Sequence, residues 1–419
     1  MQADAPAVLV VSTRAWSEVS RLSFRLWKYG CTIHALCPPD SELRNCMHIV
    51  GLHSFRAWDA LGSVRAAIDA SGADYLVPGD DLAFCLLHRL RMQYPNYRSL
   101  VERSLGAASG FATLRSRFRT LALAAGMGIR IPACVPFTRL EELNASELGG
   151  KFPVVLKRDG SSGGEGVAMV AGAAALPEQC AWIMRRPGGA KNLQRLVLFG
   201  DPMGFAEAFG VPEAGFCAQE MIEGTPAMAM FACWEGRILG GLEAHVVAAQ
   251  GRTGPALMIE VFREERMKRA GGLLAGALGL SGFFGLDFVL SEATGEQYLI
   301  DVNPWCNQLG HIQAAGQADL AGVLWAQWTG RPTPAPGDKS LGNAICFYPF
   351  APEGNLVGKK PRHTRWDVGG DALLVVNRLF KEKTELVAHV RRLVCRALRV
   401  RWGAALPGHP VHYFESPGD

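Results

Sequence analysis

The 419-residue sequence contains no C-x-x-C pair, although it holds eleven cysteines scattered from Cys31 to Cys395. Zinc ribbons and redox dithiols are thereby excluded. An odd, dispersed set makes no disulfide framework, so a reducing cytoplasm is the expected compartment. The sequence also lacks a basic run interleaved with aromatics, and 43 Lys and Arg against 39 Asp and Glu leave little net charge; nucleic acid is not expected as a main partner. There is no Walker A loop, no dinucleotide-binding fingerprint and no internal repeat. The uncharged stretch Ala270 to Leu286 carries six glycines and falls short of the ~20 apolar residues that a membrane-spanning helix needs. The early run AVLVV has no basic segment ahead of it and reads as a buried strand rather than a signal peptide.

What is present is an ordinary globular composition, 49% hydrophobic and 20% charged, on a chain long enough for two or three domains. The first hundred residues alternate the strand-like runs AVLVV, TIHALC and ADYLVP with helical patterns, which predicts a parallel sheet covered on both faces. Ligands bind such sheets at the carboxyl ends of the strands. Asp80 and Asp81 stand at one such end, where a helix N-cap followed by a first-turn acid is an equally good reading. A helical stretch from Leu105 to Gly128 then leads to Pro132 and Pro136, where a second, strand-rich unit begins. In that unit WEGR and SEATGEQ read as hairpin turns, so its sheet is expected to be largely antiparallel with helices to one side. Within Ala270 to Leu286 a helix ends near Gly279 and turns into the strand LDFVL. After Thr329 the segment GRPTPAPGDKS reads as an exposed linker. Beyond it stand one strand-like run, ALLVVNRLF, and one amphipathic basic helix, LVAHVRRLVCRALRVRW, expected to pack on the rest.

Three segments carry chemistry. Lys157 ends the apolar strand PVVLK and precedes a loop with Ser161, Ser162, Gly163 and Gly164. Its backbone N–H groups can approach phosphate oxygens while the lysine supplies positive charge. Taken alone, a glycine-rich hairpin loop is as often structural. In FCAQEMIEG a strand end offers backbone donors and acceptors to a flat heterocycle, with Met221 and Ile222 for apolar contact. In GLDFVL and LIDVNP, Asp301 and Asn303 share one strand face and Asp287 can point into the same space. Two carboxylates and an amide carbonyl form an all-oxygen set suited to magnesium. A D-x-N-P turn cap explains any one of them, but two carboxylates inside apolar strands are expensive without a cation. His245 and His311 are candidate proton handlers, with a packed structural histidine as the default. Cys306 reads as a small buried hydrophobe.

In this order and spacing the three segments resemble the ATP-grasp superfamily, in its carbamoyl-phosphate-synthase-like, carboxylate–amine ligase branch, over roughly Gly110 to Gly330. The resemblance implies an α/β and α+β chain. A Rossmann-like pre-ATP-grasp domain (1–105) precedes the ATP-grasp domain (106–330), which divides into a small lid subdomain at about 133–222 and a large one at about 223–330. A C-terminal α+β region (331–419) packs on the grasp domain. It implies ATP and Mg2+ as cofactors. Arg117 and Lys157 would bind the triphosphate with Ser161, Ser162, Gly163 and Gly164 over it, Gln219, Glu220, Met221 and Ile222 would hold adenine, and Asp287, Asp301 and Asn303 would hold the metal. The implied activity is ligation of a small carboxylate to an amine, or to a thiol or hydroxyl, through an acyl phosphate, in a protein that relatives lead one to expect as a homodimer.

The sequence departs from the family at three places. Pro226 stands where an acid often holds ribose, Trp305 where an arginine often follows Asn-Pro, and Gly285 where D-alanine-type ligases place an arginine for the acyl phosphate. Arg252, in the loop AAQGRTG, is the candidate replacement, and an exposed loop arginine is its default. The alternatives are phosphorylation of bicarbonate or carbamate, as in carbamoyl-phosphate synthesis or biotin carboxylation, and ATP binding without turnover.

Overall fold

The computed structural model describes residues 5–39, 41–143, 152–161, 166–184, 215–251, 254–338, 342–348, 364–367 and 411–413. Strands β1 (Ala7–Val11), β2 (Thr32–Cys37), β3 (Ile49–Ser54) and β4 (Tyr75–Pro78) form a parallel sheet in the order β3-β2-β1-β4. Val8 to Val11 are all buried because helices cover both faces, as an unbroken apolar run in a parallel strand requires. Helix α1 (Glu18–Lys28) packs Val19, Leu22 and Leu26 on one face. Helices α2 (Ala60–Ser71) and α3 (Asp81–Gln93) cover the other. The chain leaves β1 toward β2 but returns from β3 to β4 on the far side of β1, so the carboxyl ends of β1 and β4 flank a crevice at the switch point.

The expected helical stretch from Leu105 to Gly128 is interrupted. Helix α4 (Arg98–Leu105) stops at Gly106, and α5 (Ala108–Leu114) and α6 (Arg117–Gly126) follow. Gly106 has φ +103°, and a Cβ there would lie 2.1 Å from the Gly279 carbonyl oxygen, so neither the conformation nor the space admits a side chain. Ser116 begins α6 as an N-cap, its Oγ accepting from Arg119 N at 3.4 Å.

A second sheet is antiparallel, with β5 (Cys134–Phe137), β6 (Val154–Arg158), β7 (Val167–Val170) and β8 (Phe216–Glu220) in the order β5-β8-β6-β7. Helix α7 (Leu176–Met184) closes its core with Leu176, Cys180 and Ile183. The largest sheet contains β9 (Gly224–Trp234), β10 (Arg237–Gln250), β11 (Ala256–Phe262), β12 (Gly282–Ser291), β13 (Gln297–Asn303), β14 (Ala344–Cys346), β15 (Arg365–Trp366) and β16 (Val411–Tyr413). Its order is β13-β12-β9-β10-β11-β14-β15, with β16 on β10. The WEGR turn joins β9 to β10 through Glu235 (φ 48°) and Gly236 (φ 78°), the left-handed pair that a tight hairpin demands. Helix α8 (Glu265–Leu278) buries Met267, Leu274 and Leu278 in the core that also holds Phe231 and Phe284, and α9 (Leu320–Thr329) follows β13. No helix among the described residues is long and apolar enough to cross a membrane. The strand and basic helix expected at 372–380 and 386–402 lie outside the described residues.

One buried acid in this sheet gives a stability prediction. Glu243 on β10 is 4% exposed. Burial, reinforced by Glu265 and opposed by Lys268 and Arg263, pushes its carboxyl up to about 7. The folded state therefore holds the proton more tightly than the unfolded chain. The stabilisation is complete below the unfolded value and is lost as pH rises through about 7. Glu243→Gln is expected to raise stability at pH 8 by about 2 kcal/mol and to change it little at pH 4. Urea unfolding at the two pH values checks this, and an equal gain at both would contradict it.

Candidate active site

Lys157 lies near the end of β6, is 6% exposed, and donates from Nζ to the Ile300 carbonyl oxygen at 2.7 Å. Gln219, on β8 beside it, directs Nε2 to the same oxygen at 3.4 Å. That carbonyl is available because of a β-bulge. Asp287 on β12 pairs with Asp301 on β13, but the next residue, Phe288, pairs with Leu299, so Ile300 is left without a register partner. The extra residue also shifts the alternation of faces. Leu299 and Val302 both enter the core, while Asp301 and Asn303 are left on the opposite side.

Asp301 therefore faces Asp287 directly across the ladder, and Asn303 Nδ2 donates to Asp287 Oδ2 at 2.9 Å. Burial first, and then the Asp301 charge, push the Asp287 carboxyl up to about 6 against the pull of Asn303, Lys157 and Arg117. Arg117, the first residue of α6, reaches the same place from a third direction. Its Nε donates to both Asp301 oxygens at 3.1 Å, and its Nη groups reach the carbonyls of Arg158 and Ser161 and, at 3.0 Å, Ser161 Oγ. Its backbone N–H donates to Asp159 Oδ1 at 2.9 Å. Burial works against the guanidinium charge, but Asp301 and Asp81 outweigh it and hold the group firmly protonated.

Lys157, Arg117, Ser161, Asp287, Asp301 and Asn303 thus share one locus between the two antiparallel sheets. Gln219 adjoins it through Ile300. Glu220, Met221 and Ile222 continue from β8 at its edge, where Glu220 N donates to Ala133 O at 2.8 Å and Met221 N to Pro153 O at 3.2 Å. Ser162, Gly163, Gly164 and Arg252 lie outside the described residues. His311 is bonded through Nε2 to Asp367 Oδ2 at 3.0 Å, and His245 stacks on Phe262 at 3.7 Å between ring centroids. Burial lowers the proton affinity of both. Neither bonds to the locus. Cys306 is buried, and burial pushes its thiol up.

The donor set fits magnesium. Among the described residues no group of three or more His, Cys, Asp and Glu side chains forms a metal cage. Two carboxylates with an amide match an ion that completes its shell with water and phosphate oxygens. Burial first, and then the neighbouring Asp301 charge, raise the proton affinity of Asp287, and a divalent ion held there would offset both. Two participants have no cue of their own in the sequence: Asp159, which holds the α6 N-terminus, and the Ile300 carbonyl.

The chain shares its fold with several solved structures of ATP-grasp enzymes. Carboxyaminoimidazole ribonucleotide synthase from Aspergillus clavatus, solved with ATP, is similar at 12% identity and TM-score 0.57, over 79% of this chain and 78% of that one. L-amino acid ligase from Bacillus licheniformis is similar at 16% identity and TM-score 0.54, over 77% of this chain and 75% of that one. Rhizobium etli pyruvate carboxylase is similar at 15% identity and TM-score 0.55 over 78% of this chain, which spans only 29% of that much longer protein. No protein-family model and no curated protein sequence matches the chain.

Proposed function

We propose that the protein is an ATP- and Mg2+-dependent ligase that activates a small carboxylic acid as an acyl phosphate and transfers the acyl group to an amine. Thiol and hydroxyl acceptors belong to the same chemistry. One observation carries the reading: Lys157 and Arg117 converge with Asp287, Asp301 and Asn303 although 184 positions separate Arg117 from Asp301. A substrate carboxylate oxygen attacks the γ-phosphorus in line, the bond to the β,γ-bridging oxygen breaks, and ADP leaves. The amine nitrogen then attacks the acyl carbon, phosphate departs, and the amine proton passes to solvent.

Lys157 and Arg117 neutralise charge on the transferring group, and the hinge Gln219–Ile222 orients adenine. Asp287, Asp301 and Asn303 would hold magnesium, which would supply further neutralisation of the triphosphate. Loop residues Ser161, Ser162, Gly163 and Gly164 would exclude water from the acyl phosphate, and Arg252 is the candidate for the role of the arginine that Gly285 replaces. In this reading residues 1–105 form the Rossmann-like pre-ATP-grasp domain, 106–330 the grasp domain and 331–419 an appended region, in a cytoplasmic homodimer.

The test is an ADP-release screen of amino acids and small carboxylates in pairs, with bicarbonate as a separate arm. ADP is expected only when acid and acceptor are present together. ADP formed with bicarbonate alone would favour carboxylation chemistry, and nucleotide binding without ADP in any arm would remove the ligase reading.

A further inference from the structure

Arg117 reaches Asp301 from a helix that belongs to neither antiparallel sheet, and one short segment aims it there. Residues 158–161, at the end of β6 just past Lys157, hold Arg117 at both of its ends. The guanidinium donates to the carbonyls of Arg158 and Ser161 and to Ser161 Oγ, while the main-chain N–H donates to Asp159 Oδ1 at 2.9 Å. Ser116 completes the hold. Its Oγ accepts from Arg119 N, which leaves its O–H for the Asp159 carboxylate. Asp159 is itself fixed through its own N–H, which donates to the Gly215 carbonyl at 2.8 Å, at the entry to β8.

An acid two positions after Lys157 is a cost to a locus that gathers cations for a polyanion. The Asp159 carboxylate repels the phosphate oxygens that Lys157 and Arg117 attract. It also takes Arg117 N, as Ser116 takes Arg119 N, so the leading N–H groups of α6 that could form an anion site of their own are engaged. Both effects leave the guanidinium as the group that α6 offers a phosphate. Its direction follows from where residues 158–161 hold the backbone and the fork together, so Lys157 and Arg117, far apart in sequence, are carried by one piece of chain.

We propose that Asp159 is a positioning residue for the triphosphate: its hydrogen bond to the Arg117 main chain sets the guanidinium beside Lys157, so that the two cations bind as one unit. The assignment rests on reading this locus as the triphosphate site, and it does not depend on which acid or amine is ligated. Asp159 acts through its acceptor oxygen and not through its charge, so Asp159→Asn keeps the role that Asp159→Ala loses. Gly215 gives an independent way to reach the same contact. A Cβ there would lie 2.6 Å from Asp159 Oδ2, the outer end of a flexible side chain, and the φ of Gly215 lies outside the left-handed region. Gly215→Ala therefore displaces the carboxylate while leaving both partners of the hydrogen bond in the sequence.

The experiment measures binding of ATP with Mg2+, and of adenosine, to the full chain by competition against a fluorescent ATP analogue, with circular-dichroism melts to establish that each variant is folded. Asp159→Ala and Gly215→Ala are each expected to weaken ATP binding about tenfold. Adenosine, which carries no phosphate, is expected to stay within about twofold of its affinity for the unmutated protein. Asp159→Asn is expected to bind ATP at least as tightly as the unmutated protein, since the acceptor remains and the repulsion is gone. The double variant Asp159→Ala/Gly215→Ala is expected to bind ATP no more weakly than Asp159→Ala alone, because both changes act on one contact. If Asp159→Ala does not fold, Gly215→Ala set against Asp159→Asn carries the same test.

Adenosine binding lost in step with ATP binding would make Asp159 a residue of the fold alone and overturn the proposal. So would an ATP affinity unchanged in both single variants, additive losses in the double variant, or Asp159→Asn falling as far as Asp159→Ala. If the unmutated protein binds no nucleotide, the proposal and the ligase reading fall together. Otherwise the two separate. The expected pattern of ATP affinities without ADP release from any acid and acceptor keeps Asp159 and removes the ligase; acceptor-dependent ADP release with unaltered ATP affinity in the variants does the reverse.

Discussion

Lys157→Ala is expected to lower acceptor-dependent ADP release roughly a hundred- to a thousandfold, the scale of removing one preorganised group from a developing charge, while thermal unfolding changes little. The asymmetry follows from the resting contacts of the lysine. Its Nζ rests on the Ile300 carbonyl at 2.7 Å, and Gln219 Nε2 approaches the same oxygen at 3.4 Å, so the truncated protein still presents that acceptor with a donor. The loss of one hydrogen bond from a charged donor amounts to roughly 1.5–3 kcal/mol, which Gln219 partly offsets. Steady-state ADP release and circular-dichroism melts of the same preparation separate the outcomes. Full turnover in the variant removes Lys157 from the mechanism, and a collapse of the melting temperature makes it a structural residue.

Arg117→Ala is expected to differ by damaging both properties. The guanidinium is the counter-charge for Asp301 and Asp81 and also ties the start of α6 to Arg158 and Ser161. Its removal leaves mostly buried carboxylates facing one another, a change worth roughly 3–5 kcal/mol, and ADP release should become undetectable. Arg117→Lys restores a charge but not the planar fork, so it should recover part of the stability and little of the turnover. Magnesium gives the sharper readout. In Arg117→Ala a divalent ion would be the main compensation for Asp287 and Asp301, so MgCl2 should raise its melting temperature more than it raises that of the unmutated protein. An equal rise in both would argue against these residues as a metal site.

Legibility in the sequence followed the range of the interactions involved. Lys157, Asp287, Asp301 and Asn303 could be read because strand alternation is local and an acid inside GLDFVL or LIDVNP is conspicuous against its apolar neighbours. That Asp287 and Asp301 lie on neighbouring antiparallel strands followed from the SEATGEQ connection, but their direct pairing depends on the extra residue at Ile300. The bulge at Ile300 could not be read, since no glycine or proline marks it and its cause lies in core packing on both sides. The breaks at Gly106 and Ser116 were there to be seen. Read as one helical stretch, the segment hid that Arg117 begins a helix, which is what points it at Asp301. Asp80 and Asp81 looked alike, and only the tertiary contacts of Thr13 with Asp80 and of Trp305 with Asp81 tell the two acids apart.

The surplus residue in β13 has an evolutionary consequence. The group that positions Lys157 is a main-chain oxygen, so the side chain at position 300 is free to drift among apolar residues without disturbing the lysine, and Ile300→Val or Ile300→Leu should pass unnoticed. The length of the segment between Gln297 and Asn303 is not free in that way. Deleting a single residue there would restore an unbroken ladder, withdraw the exposed carbonyl, and turn either Leu299 or Asp301 toward the wrong side. Substitution is therefore tolerated where deletion is not, and homologues that keep this arrangement should be recognisable by a constant spacing from Asp287 to Asp301 more than by the identity of what lies between.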